Sequence, residues 1–449
     1  MALNSFGNHT IVYWLGLESM ETPAKRAALA GAGPKLATEN THRRDRHLEN
    51  MQSKKNILLV GKDEALWREW REFAEQSPNC DQAWTPQFAE SGRAALALCG
   101  RRQFDAVAAE ICLPDMNGAE LLDQVMESNP KATRILMSDL ADMKSTAECI
   151  GKVHHHLLKP CDVQTLLNAL NDALELESWL PSQAVQKLLS RMRLLPSPPI
   201  VYFTILAELR SNNVSIEKIA DVIATDPMVT AKLLQLANSA VFGLRLQVWR
   251  PVEAISYLGL EASATVVLLA HTFSSFAGME MIGISIESLW LHSVLTGELA
   301  RRVAQSEGAD LETVEQSFTA GLLHDIGKLL LCANEPDLFG QVLRLARRNK
   351  CPTWQAEDQL LPGANHADLG GCMLGIWNLP RPVVEAVALH HRPARLVGGD
   401  FKPLTAVHVA DVLAHQVAPD PSAPALSTID LEYLKRLGLD EHLEGWKRL

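Results

Sequence analysis

The sequence predicts two domains of different class, a doubly wound parallel α/β sheet followed by a separate all-α domain. From Asn56 to about Leu176, short apolar runs alternate with amphipathic stretches, the pattern of parallel βαβ units. After Pro181, apolar residues recur at spacings of three and four, and no further succession of strands is seen. A length of 449 residues suffices for two or three domains with substantial cores, and 47% apolar with 21% charged residues is the balance of a folded chain.

Residues 1–53 lack sustained periodicity and end in the polar stretch Glu39 to Lys55, which predicts a flexible tail; Met51, just before the first strand, is an alternative start. Residues 54–177 form the α/β domain. Its strands are expected at Ile57–Val60, Trp84–Phe88, Ala106–Glu110, Arg134–Ser138 and His155–Leu158. Helices are expected over Glu64–Gln76, Ser91–Cys99, Gly118–Met126 and Asp162 to about Leu176. The functional crevice of such a sheet lies at the C-terminal ends of its strands.

Residues 178–194 read as a linker or helix, and Pro196, Pro198 and Pro199 break the chain at the start of the helical domain, 195–395. Within it Asp226-Pro227 reads as a turn entering a helix, and helical periodicity runs through Ile216–Ile223, Val229–Ala237 and Leu295–Val303. The stripe of Leu233, Leu236 and Val241 with Phe242 reads as core. Residues 396–449 read as a C-terminal helical extension that finishes the domain.

Composition narrows the function classes. A net charge of −11, with no separate basic module, argues against direct nucleic-acid binding. The eight cysteines are scattered without a Cys-x-x-Cys pair, which reads as reduced core thiols. The uncharged run Ser263–Met279 is too polar and too short for a membrane span, and no secretory signal pattern opens the chain, so the cytoplasm is expected.

Asp105-Ala106-Val107-Ala108-Ala109-Glu110-Ile111-Cys112-Leu113-Pro114-Asp115-Met116-Asn117-Gly118, together with Ile57–Val60, Ser138 and Lys159-Pro160, resembles the receiver domain of bacterial response regulators. The resemblance places Glu110 at the phosphoacceptor aspartate and Gly61 and Lys62 at the two acidic Mg²⁺ slots, with Asp63 one position later. Mg²⁺ is therefore not expected in this pocket. The resemblance implies a pseudo-receiver in which Glu110 pairs with Lys62 or Lys159 and Ser138 takes the phosphoryl-sensing hydroxyl position. A relic salt-bridge cluster with a scaffold role is the alternative.

Leu195-Pro196-Ser197, Asp226-Pro227, Ala231–Ser239, Phe242-Gly243 and Ala254-Ile255 with Leu258-Gly259 are similar to the HDOD family, a branch of the HD superfamily. Gly321-Leu322-Leu323-His324-Asp325-Ile326-Gly327-Lys328 resembles the superfamily's His-Asp dyad. That resemblance assigns one divalent metal (Mn, Fe or Mg) to His292, His324, Asp325 and Asp411, and a second to His366, His390 and His391. Lys328, one turn past the dyad, would neutralise a phosphate oxygen, which makes it, with His324 and Asp325, the catalytic candidate. His391 is followed by Arg392-Pro393 where the cyclic di-GMP phosphodiesterase branch carries Gly-Tyr-Pro. Arg381, Arg392 and Arg395 read as solvated surface.

Two functions follow. The first is a two-component signal transducer whose HDOD module acts by protein interaction, with other signalling proteins as partners. The second is a metal-dependent phosphohydrolase acting on a cyclic dinucleotide or related nucleotide. Both allow a homodimer.

Overall fold

The structure is a computed structural model that describes residues 55–62, 67–70, 72, 84–129, 132–139, 153–159, 161–179, 182–189, 191–196, 198–209, 211, 213–242, 247–279, 281–396, 398–418 and 428–449. The predicted tail, Met51, Asp63 and most of the helix expected over Glu64–Gln76 lie outside them. Residues 54–449 form one compact unit.

Five parallel strands, β1 (Lys55–Val60), β2 (Trp84–Ala89), β3 (Ala106–Glu110), β4 (Thr133–Ser138) and β5 (His155–Leu158), lie in the order β2-β1-β3-β4-β5. Strands covered on both faces need no polar alternation, which is why Ile57, Leu58, Leu59 and Val60 are all buried. One face packs on α1 (Gly92–Cys99) and α2 (Gly118–Ser128), and the other is closed by α3 (Val163–Trp179) with Trp67 and Trp70. Asp115 ties the loop after β3 to α1 by accepting the N–H groups of Gly92 (2.8 Å) and Arg93 (2.9 Å). Gly118 must lack a side chain, because a Cβ there would stand 2.0 Å from the Glu110 carbonyl oxygen. The register Val60↔Ala109, Glu110↔Met137 and Ser138↔Leu158 brings Gly61, Glu110, Ser138 and Lys159 together at the C-terminal ends of the strands.

The stretch 178–194, read as a linker or helix, is mostly helical: α3 runs on to Trp179, and α4 (Ser182–Leu189) follows. The helical half continues with α5 (Ile200–Leu209), α6 (Ile216–Ala224), α7 (Pro227–Ala237), α8 (Pro251–Leu258) and α9 (Leu260–Ser275). Side-chain caps start two of them: Ser215 Oγ accepts from Lys218 N–H at 3.2 Å, and Asp226 Oδ1 from Met228 N–H at 2.9 Å, with Pro227 in the first turn. Gly259, at φ 95°, lets α8 and α9 meet at 116°. Among the described residues no single helix is long and apolar enough to cross a membrane.

Around the site stand α10 (Ile286–Ser306), α11 (Leu311–Leu323), α12 (Ile326–Asn334), α13 (Pro336–Asn349), α14 (Thr353–Leu360), α15 (His366–Ile376), α16 (Arg381–Leu389) and α17 (Pro403–Val417), followed by α18 (Leu431–Leu437) and α19 (Leu443–Trp446). Two glycine contacts set their spacing. Gly297 and Gly321 let α10 and α11 approach until a Cβ on Gly321 would lie 2.7 Å from the Gly297 Cα, and a Cβ on Gly327 would strike the His366 carbonyl oxygen at 1.9 Å. The region expected as an extension contains α17, which packs against α10, α11 and α16 and is buried from Pro403 to Ala414. It is a central member of the bundle, because its apolar residues encircle the helix instead of lining one stripe.

The two halves share a continuous core. Strand β5 faces the helical half, with the His156 ring edge-on to Phe203 at 6.3 Å and buried His155 beside Asn378.

Candidate metal centre

The centre sits where chain direction changes. His324 is the C-cap of α11 and Asp325 the N-cap of α12, so the dyad occupies the break between two helices and not the interior of one, as 100° spacing along a helix supposes. His390 likewise caps α16, and His391 follows it; His366 opens α15 behind Asn365, whose side chain accepts from Asp368 N–H at 3.0 Å. His292 projects from within α10, and Asp411 and His415 from within α17.

Two groups of donors meet there. In the first, His292 Nε2 lies 3.2 Å from His324 Nε2, 3.1 Å from Asp411 Oδ1 and 3.8 Å from Asp325 Oδ2. In the second, His391 Nε2 lies 3.0 Å from His366 Nε2, with His390 in the same group. Asp325 reaches both, its Oδ2 being 3.4 Å from His324 Nε2 and its Oδ1 3.3 Å from His366 Nε2 and 3.9 Å from His390 Nε2. Donors that share one ion at about 2.0–2.2 Å stand roughly 3.0–3.5 Å apart, so these spacings fit coordination.

The outer contacts fix the rings. His324 Nδ1 faces the Gly321 carbonyl at 2.7 Å and His390 Nδ1 the Val387 carbonyl at 2.7 Å. Glu357, fully buried, accepts from His366 twice, from its backbone N–H at 2.8 Å and from Nδ1 at 2.7 Å. A proton held on Nδ1 leaves the Nε2 lone pair pointing into the centre.

Burial pushes His292 down to about 4 despite the nearby Asp411 carboxylate, pushes His390 down to about 3, and holds His391 well below the usual range. These rings are neutral. Burial also opposes charge on His324, but Asp325 and Asp411 outweigh it and push its pKa up to about 10. The two buried carboxylates thus favour positive charge at His324, in the place where a bound divalent cation would supply it. Asp325 Oδ1, His390 Nε2 and His391 Nδ1 are buried without a hydrogen-bond partner among the described residues. Such orphaned acceptors are costly in a dry interior and fit a site shaped for a cation.

Lys328 Nζ bonds Asp325 Oδ2 at 2.6 Å, so its ammonium is directed at the dyad's own carboxylate. Arg392 pairs with Asp358 and lies over the Trp354 ring at 5.2 Å, a structural contact more than solvated surface, while Arg381, its side chain 38% exposed, bonds Glu385 through Nε at 2.6 Å. Sequence reading missed Glu357 and His415. His415 falls four residues after Asp411, a spacing that puts both on one helix face and was the available signal. Nothing in the sequence links Glu357 to His366.

At the C-terminal ends of the strands, Lys159 Nζ bonds Glu110 Oε1 at 3.0 Å, and Lys62 gives Glu110 Oε2 only its backbone N–H, at 3.4 Å, with its side chain in solvent. Of the two lysines, Lys159 is the partner. Ser138 Oγ lies 2.8 Å from His156 Nε2, on the side of the helical half.

Comparisons with known proteins agree with this architecture. The response regulator receiver domain family matches residues 57–171 and the HDOD domain family matches residues 195–393. An uncharacterized protein of Treponema pallidum is 25% identical over 210 residues, 47% of this chain and 40% of its own length. Regulatory protein LuxO of Vibrio cholerae is 29% identical over 98 residues, 22% of each chain. The matches therefore span less than half of either curated relative. The crystal structure of an HDOD domain protein with unknown function from Geobacter sulfurreducens shares the fold at a TM-score of 0.50 and 22% identity, over 61% of this chain and 92% of that one. The chain thus carries a receiver domain followed by an HDOD domain, a pairing that fits a protein of the response-regulator type.

Proposed function

We propose that this chain is a signal transducer whose receiver is held in one charge state and whose HDOD module binds divalent metal and acts on other signalling proteins by association. The observation that carries it is Glu110, whose carboxylate is engaged on one oxygen by the Lys159 ammonium at 3.0 Å and on the other by the Lys62 N–H. In a working receiver the acceptor must be a free nucleophile beside a metal that neutralises the incoming phosphoryl group. Here the lysine supplies the neutralising charge, and Gly61 and Lys62 offer no carboxylate where the resemblance places the metal pair. The test is incubation of the full chain with acetyl phosphate and Mg²⁺, followed by intact mass. An unchanged mass is expected, and a phosphoryl adduct on Glu110 would sink the reading.

His292, His324, Asp325 and Asp411 would hold one ion, and Asp325, His366, His390 and His391 a second, with Asp325 spanning the two. Manganese or iron suits this mixture of imidazole and carboxylate. The check is elemental analysis of the purified chain beside a His324→Ala, Asp325→Ala double variant, which supplies the blank. The cytoplasm is the compartment we assign, supported by free thiols among the described cysteines, Cys99 and Cys332 included.

A second reading, a metal-dependent phosphohydrolase, is favoured by one observation, the bridging position of Asp325. Paired ions about 3.5–4 Å apart clamp the attacking and leaving oxygens of a phosphodiester. Turnover of a cyclic dinucleotide by the manganese-loaded chain, lost in the double variant, would support it.

A further inference from the structure

We propose that His415 is a further metal ligand, which fills on the Asp411 side of the centre a position that hydrolytic sites keep for water. The inference rests on the metal reading above and deepens it.

His415 stands four residues after Asp411 on α17, with Nδ1 3.1 Å from Asp411 Oδ1. Its ring centroid is 4.1 Å from that of His292, tilted by 56°. One donor atom each from His292, Asp411 and His415 falls within a sphere of contacts no wider than 4.8 Å.

Its construction also matches that of the histidines already in the centre. His324 turns Nδ1 to the carbonyl of Gly321, His390 to that of Val387, and His415 to that of Asp411 at 2.9 Å, each one helical turn upstream. The same hydrogen bond that frees Nε2 in His324 and His390 frees it in His415. A histidine kept only for a surface ion pair would need no such orientation.

Position gives the consequence. His415 and His292 have side chains 19% and 13% exposed, whereas His324, Asp325 and Asp411 are at 3% or less, so His415 stands on the solvent side of the first donor group. His292, His324, Asp325 and Asp411 already supply four donors, and His415 adds a fifth from the direction by which water would enter. Sites filled by protein donors hold metal for structure, and hydrolytic sites keep a position open. Five protein donors leave a six-coordinate manganese or iron ion at most one position for water, an arrangement that fits a module that signals by association.

Manganese(II) titration of the full chain, read by affinity and by longitudinal relaxation of water protons, tests this. In His415→Ala we expect stoichiometric binding that is weaker by about 10-fold or more. We also expect greater water relaxation per bound ion, since water takes the vacated position. His415→Glu, which returns a donor, should bring relaxation back toward the parent value, and circular dichroism with melting temperature checks that each variant folds. Identical affinity and relaxation in parent and His415→Ala would overturn the inference while leaving the metal reading intact. No binding by the parent would overturn both.

Discussion

Gly61 and Glu110 are built to one another: a Cβ on residue 61 would stand 2.4 Å from the Glu110 carboxyl carbon. The extra methylene that makes residue 110 a glutamate occupies the space that a side chain on residue 61 would take. The absence of a side chain at residue 61 and the length of the side chain at residue 110 are therefore sterically coupled. Gly61→Ala should destabilise the chain by about 1–3 kcal/mol through overpacking. Part of that cost should vanish in a Glu110→Ala background, since only there is the space free. A urea-melt double-mutant cycle checks this, and additive costs would mean that the two residues do not compete for room.

Glu357 is predicted to position His366. Glu357→Ala leaves two buried N–H groups of His366 without their acceptor, at about 1–3 kcal/mol each. Glu357→Gln, which keeps an acceptor oxygen, should fold better yet weaken binding at the second metal position by about 10–100-fold. Manganese titration beside thermal melts separates the two effects.

Asp325 is predicted to couple both metal positions, because one oxygen faces each donor group. Asp325→Asn should lower the metal content at both, whereas His391→Ala should spare the first. Elemental analysis decides, and equal losses in the two variants would contradict the bridging role.

Acid should loosen the contact between the halves. Burial pushes His155 and His156 down to about 4, from about 6.5 in an unfolded chain. The unfolded state therefore binds more protons between those values, and stability is full above pH ~6.5 and falls as pH drops toward 4. The urea midpoint should decline over that window, and His155→Leu with His156→Phe should flatten the decline relative to the parent. An unchanged slope would mean that these rings are not the titrating groups.

Much of this was legible in the residues. The strand runs Ile57–Val60 and Ala106–Ala109 carry their burial in their composition, since a parallel strand covered on both faces must be apolar throughout. The donors His292, His324, Asp325, His366, His390, His391 and Asp411 were nameable by resemblance, and the fold brings them together. Glu357 was not nameable, because its partner lies nine residues away across a turn that separates two helices.

Periodicity and composition, which are local properties, carry the succession of a parallel sheet and a helical bundle, and the resemblance of short motifs points to Glu110 and to most of the donors. Tertiary contacts select Lys159 over Lys62 as the partner of Glu110, set the dyad at a helix junction and bring His415 beside His292. Those outcomes depend on distances between segments far apart in the chain, set by strand register and by helix contacts at Gly297, Gly321 and Gly327.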